Sequence, residues 1–552
     1  MSLNYYICSL KKNDPKNHLF LQDIENHIIN NENMKITKKL ILALALMAVF
    51  LPQLLAQNNN VIMCADTDCV FEILEKMQSD DDIVVADAKK SFMQLVDRYR
   101  NTGDSQIHNA LMKSTLRFVE KCSDSDCVPF LLSSFPRFCT ADDIHIILQL
   151  IDNDRLADGA IRAVGDINGS HDYIEIFIIK HNDALQNKAA WAYAIGKQNI
   201  TTMEDELISW LDDADNETKI EIYNALLVIG NNDKTTAIIR KGAKKLNKSK
   251  VAAEKIAGMR LLVAIDGETT LPILYKALKN KNGEVRKEAL ELLKPFVNQE
   301  VVNIVVKNCN KDEALVDAVT WLGEIKNDSQ MPLIINQLSS ENPRLVEAAI
   351  RAVFLIDKVD GINAVKPMFG GDYQGVIKES MILYEGDCRA VLTDVMRGNE
   401  RQIIAGLQIL EIRPILAMCG RVKDLLYSDN QEIRDRAYGV LRLVVMPSNA
   451  DFLKGLLDYC DEKYVEDVQI AIKNAMKNTP DNIKDMFAST LKHITSDKMP
   501  RFYKVFAYFG TELCVDKLID AYQNGSHQFE AKEALMLVEN KQFEDKINEV
   551  LK

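Results

Sequence analysis

The chain has 552 residues, of which 23 are Gly and 13 are Pro, about half the share that globular proteins usually carry. So few turn formers exclude a turn-rich all-β architecture, and 47% hydrophobic against 27% charged residues excludes both wholesale disorder and a collagen-like fibre. A net charge of −13 has the wrong sign for a protein whose affinity comes from neutralising phosphates, so nucleic acid is not expected as a partner.

In chain order, residues 1–33 form an Asn-rich upstream extension, expected to be untranslated or disordered. Residues 34–57 have the pattern of a signal peptide. Lys35, Lys38 and Lys39 form a basic region, Leu40 to Leu51 an unbroken apolar run, and Pro52 and the small Ala56 follow. That run is shorter than the roughly 20 residues a membrane-spanning helix needs. No Cys stands where a lipid anchor would attach, and no later stretch reaches the roughly 18 apolar residues of a spanning helix. An exported chain is therefore expected, soluble in the periplasm or secreted, with no transmembrane segment once the leader is removed.

Residues 58–155 read as an N-terminal helical cap. Two local phrases repeat there, Cys64-Ala-Asp-Thr-Asp-Cys69 and Cys122-Ser-Asp-Ser-Asp-Cys127, each running into an apolar helical segment. In an oxidising compartment, local disulfides Cys64–Cys69 and Cys122–Cys127 are expected, with Asp68 and Asp126 as helix N-caps. The alternating carboxylates resemble the start of a calcium loop but lack its sixth-position Gly and twelfth-position Glu. The remaining cysteines, 139, 309, 388, 419, 460 and 514, are widely spaced and expected to act as small buried hydrophobes.

From 156 to 450 one phrase recurs, an amphipathic helix ending in an apolar residue and a polar turn. Taking Val164, Ile195, Ile229, Ile265, Leu293, Leu322 and Leu355 as equivalent gives steps of 31, 34, 36, 28, 29 and 33 residues, the period of a helical hairpin. Second helices, such as Thr270–Leu278 and Gln330–Leu338, lie between, with Pro272 and Pro332 in first turns where a missing N–H costs nothing. Met368 to Tyr373 breaks the rhythm, and residues 451–552 keep helices without the phrase, as degenerate repeats or a C-terminal cap.

Gly283-Glu284-Val285-Arg286-Lys287-Glu288-Ala289-Leu290, Asn342-Pro343-Arg344-Leu345-Val346-Glu347-Ala348-Ala349 and Asp429-Asn430-Gln431-Glu432-Ile433-Arg434-Asp435-Arg436-Ala437 resemble the second-helix opening of HEAT repeats, particularly the short phycobilisome-lyase type. The resemblance implies an all-α protein, a right-handed α-solenoid of stacked antiparallel helix pairs. It also implies that the Asp or Asn caps the inner helix while the Arg or Ala packs against the neighbouring repeat.

Reactive motifs are not found. None of the eight His precedes a Glu, which excludes the His-Glu pairs of the HEAT-like di-iron hydroxylase, and there is no phosphate loop, His-Glu-x-x-His helix, Gly-x-Ser-x-Gly elbow or Cys-x-x-Cys. His171, Asp172 and His181 lie close in sequence without a third ligand at metal spacing and read as surface residues. The Lys241, Lys244, Lys245, Lys248 and Lys250 cluster reads as a solvated face. Trp191, Tyr193 and Trp321 are the candidates for a partner-binding surface, with interrepeat packing as their alternative role. No catalytic residue, metal or cofactor is expected. The expected function is a non-enzymatic scaffold binding another envelope protein on its curved surface. An accessory module of a carbohydrate-active or lyase system, or a glycan-binding protein, remains open.

Overall fold

The computed structural model describes residues 66–122, 125–181, 185–230, 232–491 and 494–552; the upstream extension, the signal segment and Cys64 lie outside them. Among the described residues every regular element is an α-helix or a short 3-10 turn. Contacts divide the chain into two compact units, Met1–Ile265 and Asp266–Lys552.

The helix starts follow from local chemistry. Asn282 accepts from the Glu284 and Val285 amides, Asn430 from those of Glu432 and Ile433, and Asn342 from Arg344, with Pro343 next in the first turn. Each Asn satisfies amides that the helix itself leaves unpaired. The cap of the first described helix, Thr67–Lys76, is Asp66, which accepts from the Cys69 amide; the expected Asp68 lies inside that helix. Helix Val128–Ser134 is preceded by Cys127 without a side-chain cap, so Asp126 does not serve either.

In the first unit, Thr67–Lys76 packs on Asp82–Thr102 and Ser105–Lys121. Further along, Asp154–Asp166, Lys188–Lys197 and Asn216–Ile229 stack side by side, while His171–His181 and Glu204–Trp210 pack beside them. Their core is built from Ala160, Ile161, Val164, Trp191, Ala194, Ile195 and Leu226. At two steps the backbones nearly touch: a Cβ on Gly165 would lie 2.7 Å from Ala194 Cα, and one on Gly196 3.0 Å from Ala225 Cα.

In the second unit an inner layer runs through Gly283–Leu293, Asp312–Glu324, Pro343–Ile356, Gln374–Leu383, Glu400–Ile412, Gln431–Val444, Val465–Met476, Pro500–Phe509 and Gln528–Met536, each packed on the next. Shorter helices, among them Leu271–Ala277, Met331–Gln337, Cys419–Leu425 and Ala450–Tyr459, cover it. Met368 to Tyr373 is the tight turn inside one pair, where Gly370, at φ +75°, leaves no room for a Cβ beside the Arg401 carbonyl. The stack continues past it.

Polar ties between neighbouring helices repeat the sequence period. Trp321 Nε1 donates to the Leu290 carbonyl at 2.8 Å, Gln198 Nε2 to Gly165 at 2.7 Å, Arg413 Nη1 to Met381 at 2.7 Å and Gln469 Nε2 to Arg501 at 2.7 Å. Arg286 lies at the HEAT-like position, buried, with Nη2 2.8 Å from Asp317 Oδ2 of the next inner helix. Its Nη1 also donates to the carbonyls of Asn280 and Lys281, and Arg434 does the same for Ser428 and Asp429. Such a buried guanidinium is tolerated because it is paired with a carboxylate and hydrogen-bonded to two carbonyls.

Candidate functional site

Two of the three aromatic candidates are not on a surface. Trp191 and Trp321 are each 1% exposed, so neither is available to a partner. Trp191 stacks on Phe177 with centroids 4.9 Å apart, and Trp321 is held by its bond to Leu290. Both lie on helices flanked by neighbours, and there a large ring gains more by filling the seam between helices than by facing water.

Tyr193 is half-buried and joins a polar stripe across Asp154–Asp166, Lys188–Lys197 and Asn216–Ile229. Its hydroxyl donates to Asp166 at 2.9 Å, the Arg162 guanidinium sits 5.0 Å over its ring, and Lys197 approaches the same ring at 5.4 Å. Arg162 in turn pairs with Asp158 and Glu221, each at 3.0 Å. Burial first, and then the bond to Asp166, raise the Tyr193 pKa, so the phenol is a hydrogen-bond donor in a charged network. Arg162, Asp166 and Glu221 are not among the candidates drawn from the sequence, although the i, i+4 alternation Asp158, Arg162, Asp166 marks the first two.

In the second unit, apolar side chains are exposed where inner helices end and the next outer helix begins. Leu355 and Val359, then Leu383, then Ile412 and Leu416, then Met446 occupy this place in four successive pairs, with Val359 71% and Leu383 79% exposed. On the opposite turns, Tyr427 and Tyr459, both exposed and 32 residues apart, have their hydroxyls 2.8 Å from each other.

Among the cysteines, Cys69 is disulfide-bonded, while its expected partner Cys64 lies outside the described residues. Cys122 and Cys127 are free thiols, so the second expected bridge is not formed. Cys122 ends one helix, whereas Cys127 is buried at the start of another with its Sγ 3.1 Å from Ser125 Oγ. Cys139, 309, 388, 419, 460 and 514 are free, and all but the half-buried Cys139 are buried. Burial pushes the Cys309 and Cys514 thiols up to about 11. Cys139 has Asp143 nearby, and Asp143 lies 3.2 Å from His108 Nε2. Burial raises the Cys139 pKa far above neutrality, with the Asp143 charge adding to the shift, so this grouping does not yield a thiolate nucleophile.

His171 and Asp172 do acquire a third neighbour, Glu175. One ligand atom from each of the three lies within 4.8 Å of the other two, a grouping that comparison of His171 with position i+4 would have found. His181 instead bonds to the Phe177 carbonyl and stacks on the Phe177 ring. The five lysines of the 241–250 cluster are exposed, as expected of a solvated face.

These features define an all-α protein of stacked helix pairs. No protein-family model matches the chain, and no curated protein gives a significant match. Among solved structures it is similar to Kap121p, at 10% identity and a TM-score of 0.40 over 90% of this chain and 55% of that one. It is also similar to yeast importin-beta, Kap95p, at 12% identity and a TM-score of 0.34 over 98% and 88% of the two chains.

Proposed function

We propose that the protein is a non-enzymatic interaction scaffold, exported, that binds another envelope protein through its repeat surface. The observation that carries this reading is the run of exposed apolar side chains at equivalent places in four successive pairs, Leu355 with Val359, Leu383, Ile412 with Leu416, and Met446. Repeat stacks offer extended surfaces of this kind, and large apolar side chains exposed at the same place in pair after pair are what such a surface offers a partner. No helix among the described residues is long and apolar enough to cross a membrane. Photo-crosslinkers at Val359 and Met446, used in an envelope extract, should capture one discrete protein, and Leu383→Asp with Ile412→Asp should abolish capture while leaving the fold intact. Capture unaffected by the double variant would defeat the proposal. Sequencing the N-terminus of the exported protein should find the segment 34–57 removed, and non-reducing peptide mapping should find Cys64 joined to Cys69.

The exposed Tyr427–Tyr459 pair favours a second reading, a glycan-binding protein, because sugar faces stack on exposed aromatic rings. Co-sedimentation with peptidoglycan, lost on Tyr427→Ala with Tyr459→Ala and unchanged by the Leu383 and Ile412 substitutions, would favour it over the scaffold.

A further inference from the structure

We infer that His171, Asp172 and Glu175 form a site for a single first-row divalent transition-metal cation. The chemistry begins with the donor set. One imidazole and two carboxylates suit zinc, cobalt or manganese, and three protein donors leave the remaining positions to water. The geometry follows from the helix His171–His181. Residues four apart stand one above the other on a helix face, which places His171 Nε2 3.8 Å from Glu175 Oε2. Asp172 adds a carboxylate, and the three donor atoms lie within 4.8 Å of one another. Donors that share a metal through bonds of about 2.0–2.2 Å stand roughly 3–4 Å apart, so small side-chain rotations bring all three onto one ion.

A support from outside the cluster distinguishes this trio from a chance meeting of surface charges. Thr202 Oγ1, from the neighbouring pair, donates to Glu175 Oε1 at 2.6 Å and holds one carboxylate oxygen, leaving Oε2 facing His171. Metal-binding carboxylates are commonly oriented by such outer hydrogen bonds. The grouping is also accessible, since His171 and Glu175 are only half-buried and Asp172 is exposed. An ion can enter without local unfolding.

The test titrates CoCl2 into the full chain, followed by calorimetry and by the visible absorption of bound cobalt. One equivalent should bind without a thiolate-to-cobalt charge-transfer band, which separates this site from the chain's cysteines. His171→Ala and Glu175→Gln should each abolish that equivalent, and Thr202→Val should weaken it about tenfold by freeing Glu175. His181→Ala should bind as the parent does, and circular dichroism should be unchanged in all variants. Binding that survives His171→Ala, binding with a thiolate band alone, or no binding at millimolar cobalt would each overturn the inference.

Discussion

Replacement of Trp321 by Ala separates a packing role from a binding role. Trp321 is 1% exposed on helix Asp312–Glu324, which packs on Gly283–Leu293 on one side and Pro343–Ile356 on the other. Emptying that volume should cost about 3–5 kcal/mol. The Leu290 carbonyl also loses its donor; Trp321→Phe removes that donor while keeping most of the ring volume, and should cost about 1–3 kcal/mol. In a repeat stack a global melting curve gives the direction of a change in stability but not its place in the array. Native-state hydrogen exchange at the amides of 283–293, 312–324 and 343–356 reads it locally. Trp321→Ala should lower the opening free energy of these three helices by that 3–5 kcal/mol, and Trp321→Phe by the smaller amount. Protection within about 0.5 kcal/mol of the parent, together with weakened partner binding, would refute the reasoning and return Trp321 to the surface.

The buried pair makes a second prediction: Arg286→Ala alone should destabilise by about 3–5 kcal/mol, while Arg286→Met with Asp317→Leu should recover most of it, as denaturant midpoints will report. Gly323→Ala should cost about 1–3 kcal/mol, because its Cβ would lie 2.7 Å from Ala352 Cα; Gly283→Ala, whose nearest neighbour is Arg286 Nη2 at an ordinary contact distance of 3.5 Å, should change the melting temperature little. Asp435 titrates at about 2, held down first by the hydrogen bond from Lys463 and then by that from Tyr464. Its contribution to stability is therefore full above its ordinary value of 3.8 and lost as pH falls towards 2, so melting temperature should fall across that window and Asp435→Asn should flatten the step.

The HEAT-like phrases were legible because they encode short-range chemistry. Asn282 and Asn430 cap helices within three residues, and Arg286 and Arg434 fold back on carbonyls five or six residues upstream, so residue type and spacing suffice. The direction of Trp191 and Trp321 was not legible. On an inner helix with neighbours on both sides most of the circumference is buried, and an aromatic on it carries no mark of which way it points. Asp68 was misread by two residues, because several acidic residues compete for one cap and the backbone of Asp66 decides the outcome. The Asp166–Tyr193 tie escaped for another reason. It joins residues 27 apart, and nothing local announces a partner one repeat away. Once the structure shows it, Asp357 and Tyr384 can be seen to repeat it at the same offset.

The ties that hold one inner helix to the next recur at offsets of 31 to 33 residues, through Trp321 to Leu290, Arg413 to Met381 and Gln198 to Gly165. A chain built this way has little need of its distant parts while it folds. Low sequence separation between partners favours fast folding, and each pair can lock once the following one has emerged from a ribosome or a translocation pore. Insertion or deletion of a whole period preserves every tie on either side, whereas a change of a few residues throws the Arg and Trp donors off their carbonyls. Length in such a protein is adjusted in steps of one helix pair.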